Sequence, residues 1–226
     1  MIRCKSILLI ILLIVSQFGL AQPIAIATKS MGTVEINKNA KPGYISLKAG
    51  TILEDGDGIR TGSDGFVLLI FIDDKSQLKV KGDSEVTISG KKIASAISKN
   101  IRMDNGTIRA EVNKQRKGEF VIQSTTSVAS VKGTDFWFIA NSEEGDMVIG
   151  LEGIVDLFNA VSGLNVDVTS GNTGTSDSNG NIDVIETDQN TIPEDPTDGD
   201  TPVGDQIEIE FEGPNGEIKK LIIDIQ

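Results

Sequence analysis

The chain has 226 residues and a formal charge of −12, with one cysteine and no histidine. Missing histidine removes the usual general base and the commonest transition-metal ligand. The one cysteine, Cys4, lies in what reads as a removable leader, so disulfide and thiol chemistry are excluded from the rest.

Arg3 and Lys5 form a basic start, Ile7 to Val15 an apolar run, and Gly19-Leu20-Ala21 a small-residue cleavage site. That order is a secretory signal peptide over residues 1–21, and it implies export to the periplasm or cell surface. The rival is an uncleaved anchor, but the run is short against the about 20 apolar residues of a membrane span. With the leader cleaved, no membrane insertion is expected. Loss of Arg3 and Lys5 takes the charge from −12 to −14, and residues 186–226 carry −10 of it. There is no basic stripe, so nucleic acid and anionic lipid are not expected partners.

From Thr33 onward, short strand patterns alternate with turns. Thr33 to Ile36 alternates, and Phe66 to Ile72 is seven apolar residues in a row, the pattern of a strand buried on both faces. Leu78, Val80, Val86 and Ile88 resume period two, and Thr107 to Val112 follows the Asp104-Asn105-Gly106 turn signal. Phe120 to Ile122, Phe136 to Ile139, Met147 to Ile149, Ile154 to Phe158 and Val166 to Val168 complete the set. Lys91 to Asn100 is open between a helix, a wide loop and a strand. Strands at this spacing define an all-β domain over residues 22–171. Irregular Gly-Thr spacings do not support a regular repeat protein. After Gly171 the composition turns to Gly, Ser, Asn, Asp and Pro, which reads as a flexible acidic linker over 172–205. Ile207, Ile209 and Phe211, a Gly213-to-Gly216 turn and Leu221 to Ile225 then read as a C-terminal β-hairpin over 206–226, which needs a third strand or its own domain to rest on.

Candidate chemistry is sparse. Asp55/Asp57, Asp73/Asp74 and Glu143/Glu144 are acid pairs in turns, where carboxylates ordinarily bond nearby amides. Asp177 to Asp183 resembles a calcium loop, but Ile182 stands where glycine is needed and Asp188 where a bidentate Glu belongs, so calcium is at most weakly bound. Trp137, the lone Trp, offers a sugar a single stacking surface only if exposed. No catalytic, cofactor or metal residues are assigned, and no enzyme activity is expected.

The most informative run is Val131-Lys132-Gly133-Thr134-Asp135-Phe136. It resembles the hallmark of FecR-like domains. Gly50, Leu53, Gly56-Asp57, Ile59 and Thr61-Gly62 resemble an earlier family stretch, and Glu152-Gly153 a later step. The resemblance covers about residues 31–171, with Ser124-Thr125 where the family usually has Thr-Pro. It implies a twisted β-sandwich or β-solenoid-like fold. It also implies kinship with periplasmic regulators of iron uptake, which carry a cytoplasmic anti-sigma segment and a membrane helix. Six residues before the apolar run leave no room for such a segment, so a free-standing envelope module with a protein partner is expected. The rivals are a signalling component working with a separate anti-sigma partner, and a glycan or peptidoglycan binder. The hallmark residues read as structural: a glycine turn at Gly133, with Phe136 and Phe138 on one face of a strand and Trp137 on the other.

Overall fold

A computed structural model describes residues 22–39, 41–114 and 117–197 in full and the backbone of 206–212 and 218–224. The leader and the hairpin's turn lie outside the described residues. The fold is all-β. β1 (Pro23–Met31) belongs to a first sheet, β2 (Val34–Asn37) and β3 (Ile45–Ser46) to a second, β4 (Ile52–Glu54) to the first and β5 (Asp57–Thr61) to the second. Hairpins then alternate. β6 (Phe66–Phe71) and β7 (Gln77–Val80) join the first sheet, β8 (Glu85–Ile93) and β9 (Ala96–Met103) the second. β10 (Asn105–Val112) crosses alone to the first, and β11 (Phe120–Gln123) and β12 (Ser127–Val131) return to the second. β13 (Thr134–Asn141) and β14 (Asp146–Glu152), β15 (Ile154–Asn159) and β16 (Asn165–Thr169), then β17 (Asn172–Ser176) and β18 (Ile182–Glu186) continue the alternation.

Each sheet has nine strands, ordered β18-β17-β14-β13-β10-β7-β6-β1-β4 and β16-β15-β12-β11-β9-β8-β5-β2-β3. Because β10 crosses alone, β11 lies parallel to β9, while the other described pairs are antiparallel. Each hairpin thus rests beside the previous hairpin of its own sheet. This is a sandwich that advances in one direction like a solenoid.

The core lies between the sheets. Val67, Leu69 and Phe71 of β6, Ile108 and Ala110 of β10, and Phe136 and Phe138 of β13 meet Ile59, Ile88, Ile101, Ile122 and Leu157. Phe71 and Phe120 join the two layers edge to face, with centroids 5.6 Å apart. All six residues of β6 are buried, as its unbroken apolar run requires. Lys91 to Asn100 resolves into the β8–β9 hairpin, its turn set by Ala94 at φ +57°.

The structure departs from the sequence reading in two places beyond Gly171. Residues 172–186 are strands β17 and β18, not linker, paired to β14 and to each other. Residues up to Thr197 then stay against the sandwich, with Thr187, Asp195 and Thr197 buried. Beyond them, β19 (Gln206–Glu212) and β20 (Ile218–Asp224) pair as the expected hairpin. β19 lies close beside β1 without joining its sheet. Among the described residues no helix is long and apolar enough to cross a membrane.

Candidate functional site

The hallmark residues sit at the strand ends, where the β10–β11, β12–β13 and β14–β15 turns stack on one another. Gly133 has φ +108°, and a Cβ there would stand 3.3 Å from the Cα of Lys114. Gly153, at φ +79°, would place a Cβ 2.7 Å from the carbonyl oxygen of Gly133 and 2.8 Å from Cγ2 of Thr134. Both turns therefore need glycine for conformation and for space. Bare backbone in these turns leaves an open cleft of about 730 Å³, lined by Lys75, Gln77, Glu111, Val112, Asn113, Lys114, Lys132, Gly133, Thr134, Asp135, Glu152, Gly153 and Ile154. Sequence-distant Lys132, Gly133, Thr134, Glu152 and Gly153 are thus brought together. Val131 and Phe136 point into the core instead.

Charge in the cleft is unevenly compensated. Asp135 takes Nε and Nη2 of Arg109 at 2.9 and 2.7 Å, which raises the Arg109 pKa further. Glu111 meets Nζ of Lys79 at 2.6 Å. Lys75, Lys114, Lys132 and Glu152 are exposed and make no ion pair among the described residues. The hydroxyl of Thr134 is buried and has no hydrogen-bond partner among the described residues.

Gly56, Asp57, Thr61 and Gly62 form a separate set that fastens turns to strands. The Asp57 carboxylate, fully buried, accepts from Asn39 N and Glu54 N at 2.9 Å each and from Lys38 Nζ at 2.7 Å. Gly56 lies in the preceding turn, where a Cβ would stand 3.2 Å from Oδ1 of Asn39. Thr61 Oγ1 donates to the Lys81 carbonyl at 2.6 Å and accepts Ser84 N at 2.9 Å. Gly62 donates its amide to the Thr33 carbonyl and accepts from Gly65 N, both at 2.9 Å.

Behind the cleft, residues 187–197 form a strap on the outer face of the first sheet. Asp195 Oδ2 receives both Lys79 Nζ and Arg109 Nη1 at 2.7 Å, and Lys81 Nζ donates to the Glu194 carbonyl at 2.6 Å. Burial alone would raise the Asp195 pKa, but hydrogen bonds from Lys79 and Thr197 outweigh it and hold the carboxyl at about 2. Lys81 Nζ and the Arg109 guanidinium also lie 5.6 and 5.8 Å from the Trp137 ring centroid. Trp137 is 1% exposed. It faces away from Phe136 and Phe138 as expected, yet it presents no open surface to a sugar while the strap is seated. Lys79, Arg109 and Asp195 were not singled out by sequence. Their only signal is a cation centred in each of two apolar strands, Leu78-Lys79-Val80 and Ile108-Arg109-Ala110.

The turn acids are committed to structure. Asp55 accepts Gly90 N at 2.9 Å, while Asp73 and Asp74 hold the buried ammonium of Lys99 at 2.9 and 2.6 Å. Of the Glu143/Glu144 pair, the Glu144 carboxylate accepts Asn141 Nδ2 at 3.3 Å, while the backbone amides of both donate to Asn141 Oδ1. In the calcium-like loop, Asp177 accepts from the side chain and amide of Asn181 and from Asn179 N, which lowers its pKa and closes the β17–β18 turn. Ser124, standing for the family's Thr-Pro, caps its own turn by accepting Thr126 N and Ser127 N, and donates to the buried Asp146. Among the described residues no group of three or more acids could gather around a metal ion.

A two-sheet advancing sandwich with these glycine-floored turns defines a class of β domain. Residues 57–156 match the family described as FecR protein. No curated protein sequence matches. Among solved structures, two crystal structures of a candidate anti-sigma factor from Parabacteroides distasonis ATCC 8503 are similar, with TM-scores of 0.49 and 0.48 at 14% and 13% identity. Each alignment covers 58% of this chain and 60% of the other, so this chain spans about three-fifths of those proteins.

Proposed function

We propose that the protein is an exported, non-catalytic module of the cell envelope that presents its FecR domain to another protein. The observation carrying this reading is the division of labour among its polar groups. The turn acids and buried cations are spent on bonds within the fold, whereas the hallmark turns build an open, charged cleft. A surface of that kind suits recognition, in which unpaired polar groups await a partner's. The compartment follows from the leader pattern of Arg3, Ile7 to Val15 and Gly19-Leu20-Ala21. Covalent crosslinking in intact cells, with mass-spectrometric identification of the captured chain, tests the reading. A specific envelope protein recovered with the full-length chain supports it. Failure to crosslink any protein, or turnover of an envelope polymer by the purified chain, overturns it.

A second reading follows from the family match. The domain serves a signalling system whose anti-sigma segment is on a separate chain. Recovery of a membrane-anchored anti-sigma protein in the same experiment selects this reading over a purely structural scaffold.

A further inference from the structure

We propose that the hallmark cleft binds an acidic, extended segment of a partner protein, pairing its carboxylates with Lys75, Lys114 and Lys132. This inference rests on the interaction-module reading and specifies the chemistry of the partner.

Three observations converge on it. The first is electrostatic. The protein has a formal charge of −12, yet this cleft of about 730 Å³ presents three lysines that make no ion pair among the described residues. Two of the three lining acids are ion-paired from behind, Asp135 with Arg109 and Glu111 with Lys79, cations they share with Asp195. Glu152 is the third, so the three lysines still outnumber the acid charge left at the cleft, a cationic spot on an anionic surface that draws in anionic groups.

The second observation is the cleft's lining. Gly133 and Gly153 line it as main chain whose Cβ directions are filled by the neighbouring turns, so the floor there is stacked backbone that an extended segment can lie along.

The third is a precedent within the molecule. The strap, which makes a 3-10 turn at Gln189–Thr191, carries an acidic Glu194-Asp195 step already bound to this same network, with Asp195 gripped by Lys79 and Arg109 and the Glu194 carbonyl by Lys81. Arg109 and Lys79 hold the strap on one side and the cleft's own acids on the other. The fold therefore already recognises an acidic stretch of chain through cations on the outer face of its first sheet. The cleft offers the same chemistry with its cations unpaired.

The test is fluorescence anisotropy with the full mature chain and a fluorescein-labelled decapeptide of alternating Glu and Asp. Its Gln/Asn counterpart and phosphatidylglycerol vesicles serve as comparison arms. The acidic peptide is expected to bind, to weaken as salt rises, and to lose about tenfold or more in the Lys75→Asn/Lys114→Gln/Lys132→Gln variant. Asparagine is chosen at Lys75 because that residue has φ +62°. Lys91→Gln/Lys92→Gln, on the exposed β8–β9 hairpin, is expected to bind as the parent does. No binding, equal binding of the uncharged peptide, equal binding by the triple variant, or binding of vesicles alone would each overturn the proposal. If the triple variant still captures the same envelope protein in cells, interaction stands and the cleft assignment fails.

Discussion

Asp195→Asn should unseat the strap and expose Trp137, and the size of the effect follows from the acid's surroundings. The carboxyl pKa is held at about 2 in the folded protein, against an ordinary value of about 4. At about 1.4 kcal/mol per pH unit the difference approaches ~2.5 kcal/mol, and solvent screening at the edge of the network reduces it to ~1–2 kcal/mol. A depressed carboxyl pKa contributes stability that is fully present above the unfolded value. That stability is lost as pH falls from about 4 towards about 2. Because Trp137 is the lone tryptophan, its fluorescence reports the strap directly. The variant at neutral pH should show red-shifted emission and stronger acrylamide quenching, while far-ultraviolet circular dichroism stays that of the parent. The parent should show the same change between pH 4 and 2 and reverse on neutralisation. Unchanged quenching in the variant, or an acid transition shared unchanged by both proteins, would refute the assignment of Asp195 as the clasp.

Gly133→Val should destabilise the domain by about 2–4 kcal/mol, since a β-branched residue is strained at φ +108° and its Cβ would crowd Lys114; a urea midpoint equal to the parent's would show the turn to be adaptable. Lys99→Met leaves Asp73 and Asp74 without their shared buried cation and should cost about 3–5 kcal/mol in chemical denaturation, whereas exposed Lys92→Met should cost almost nothing. Amino-terminal sequencing of the exported protein should begin at Gln22-Pro23; recovery of Met1 on membrane-bound material would make the leader an anchor.

Much of the fold was legible because its strands obey period two or bury both faces, as β6 and β13 do. The failure came at β17 and β18. Asn172 to Ser176 reads as linker since it has no large apolar residue, yet it is an ordered strand. Its burial is polar and paired: Thr173 and Thr187 share a hydroxyl–hydroxyl bond at 2.9 Å, and Ser176 receives Asn159 Nδ2 at 2.8 Å. Gly174 is required beneath Val168, whose Cγ2 would lie 2.4 Å from a Cβ there. Hydroxyl pairing and close approach leave no hydrophobic period to detect. The cleft was half legible. Its glycines and Lys132 stood in recognisable motifs, but Lys75 and Lys114 arrive from other turns, and only the stacking of those turns places them beside the hallmark.

The alternation of hairpins between sheets also bears on how the chain reaches its structure and how it can change. Most pairings join strands close in sequence, so closure of each step costs little chain entropy and assembly can proceed hairpin upon hairpin. A pair of hairpins, one for each sheet, could be added or removed with only its two neighbouring pairs needing adjustment. Under tension applied at the carboxyl end, the same architecture should come apart by successive peeling, and a pulling record should show several small steps in place of one large rupture.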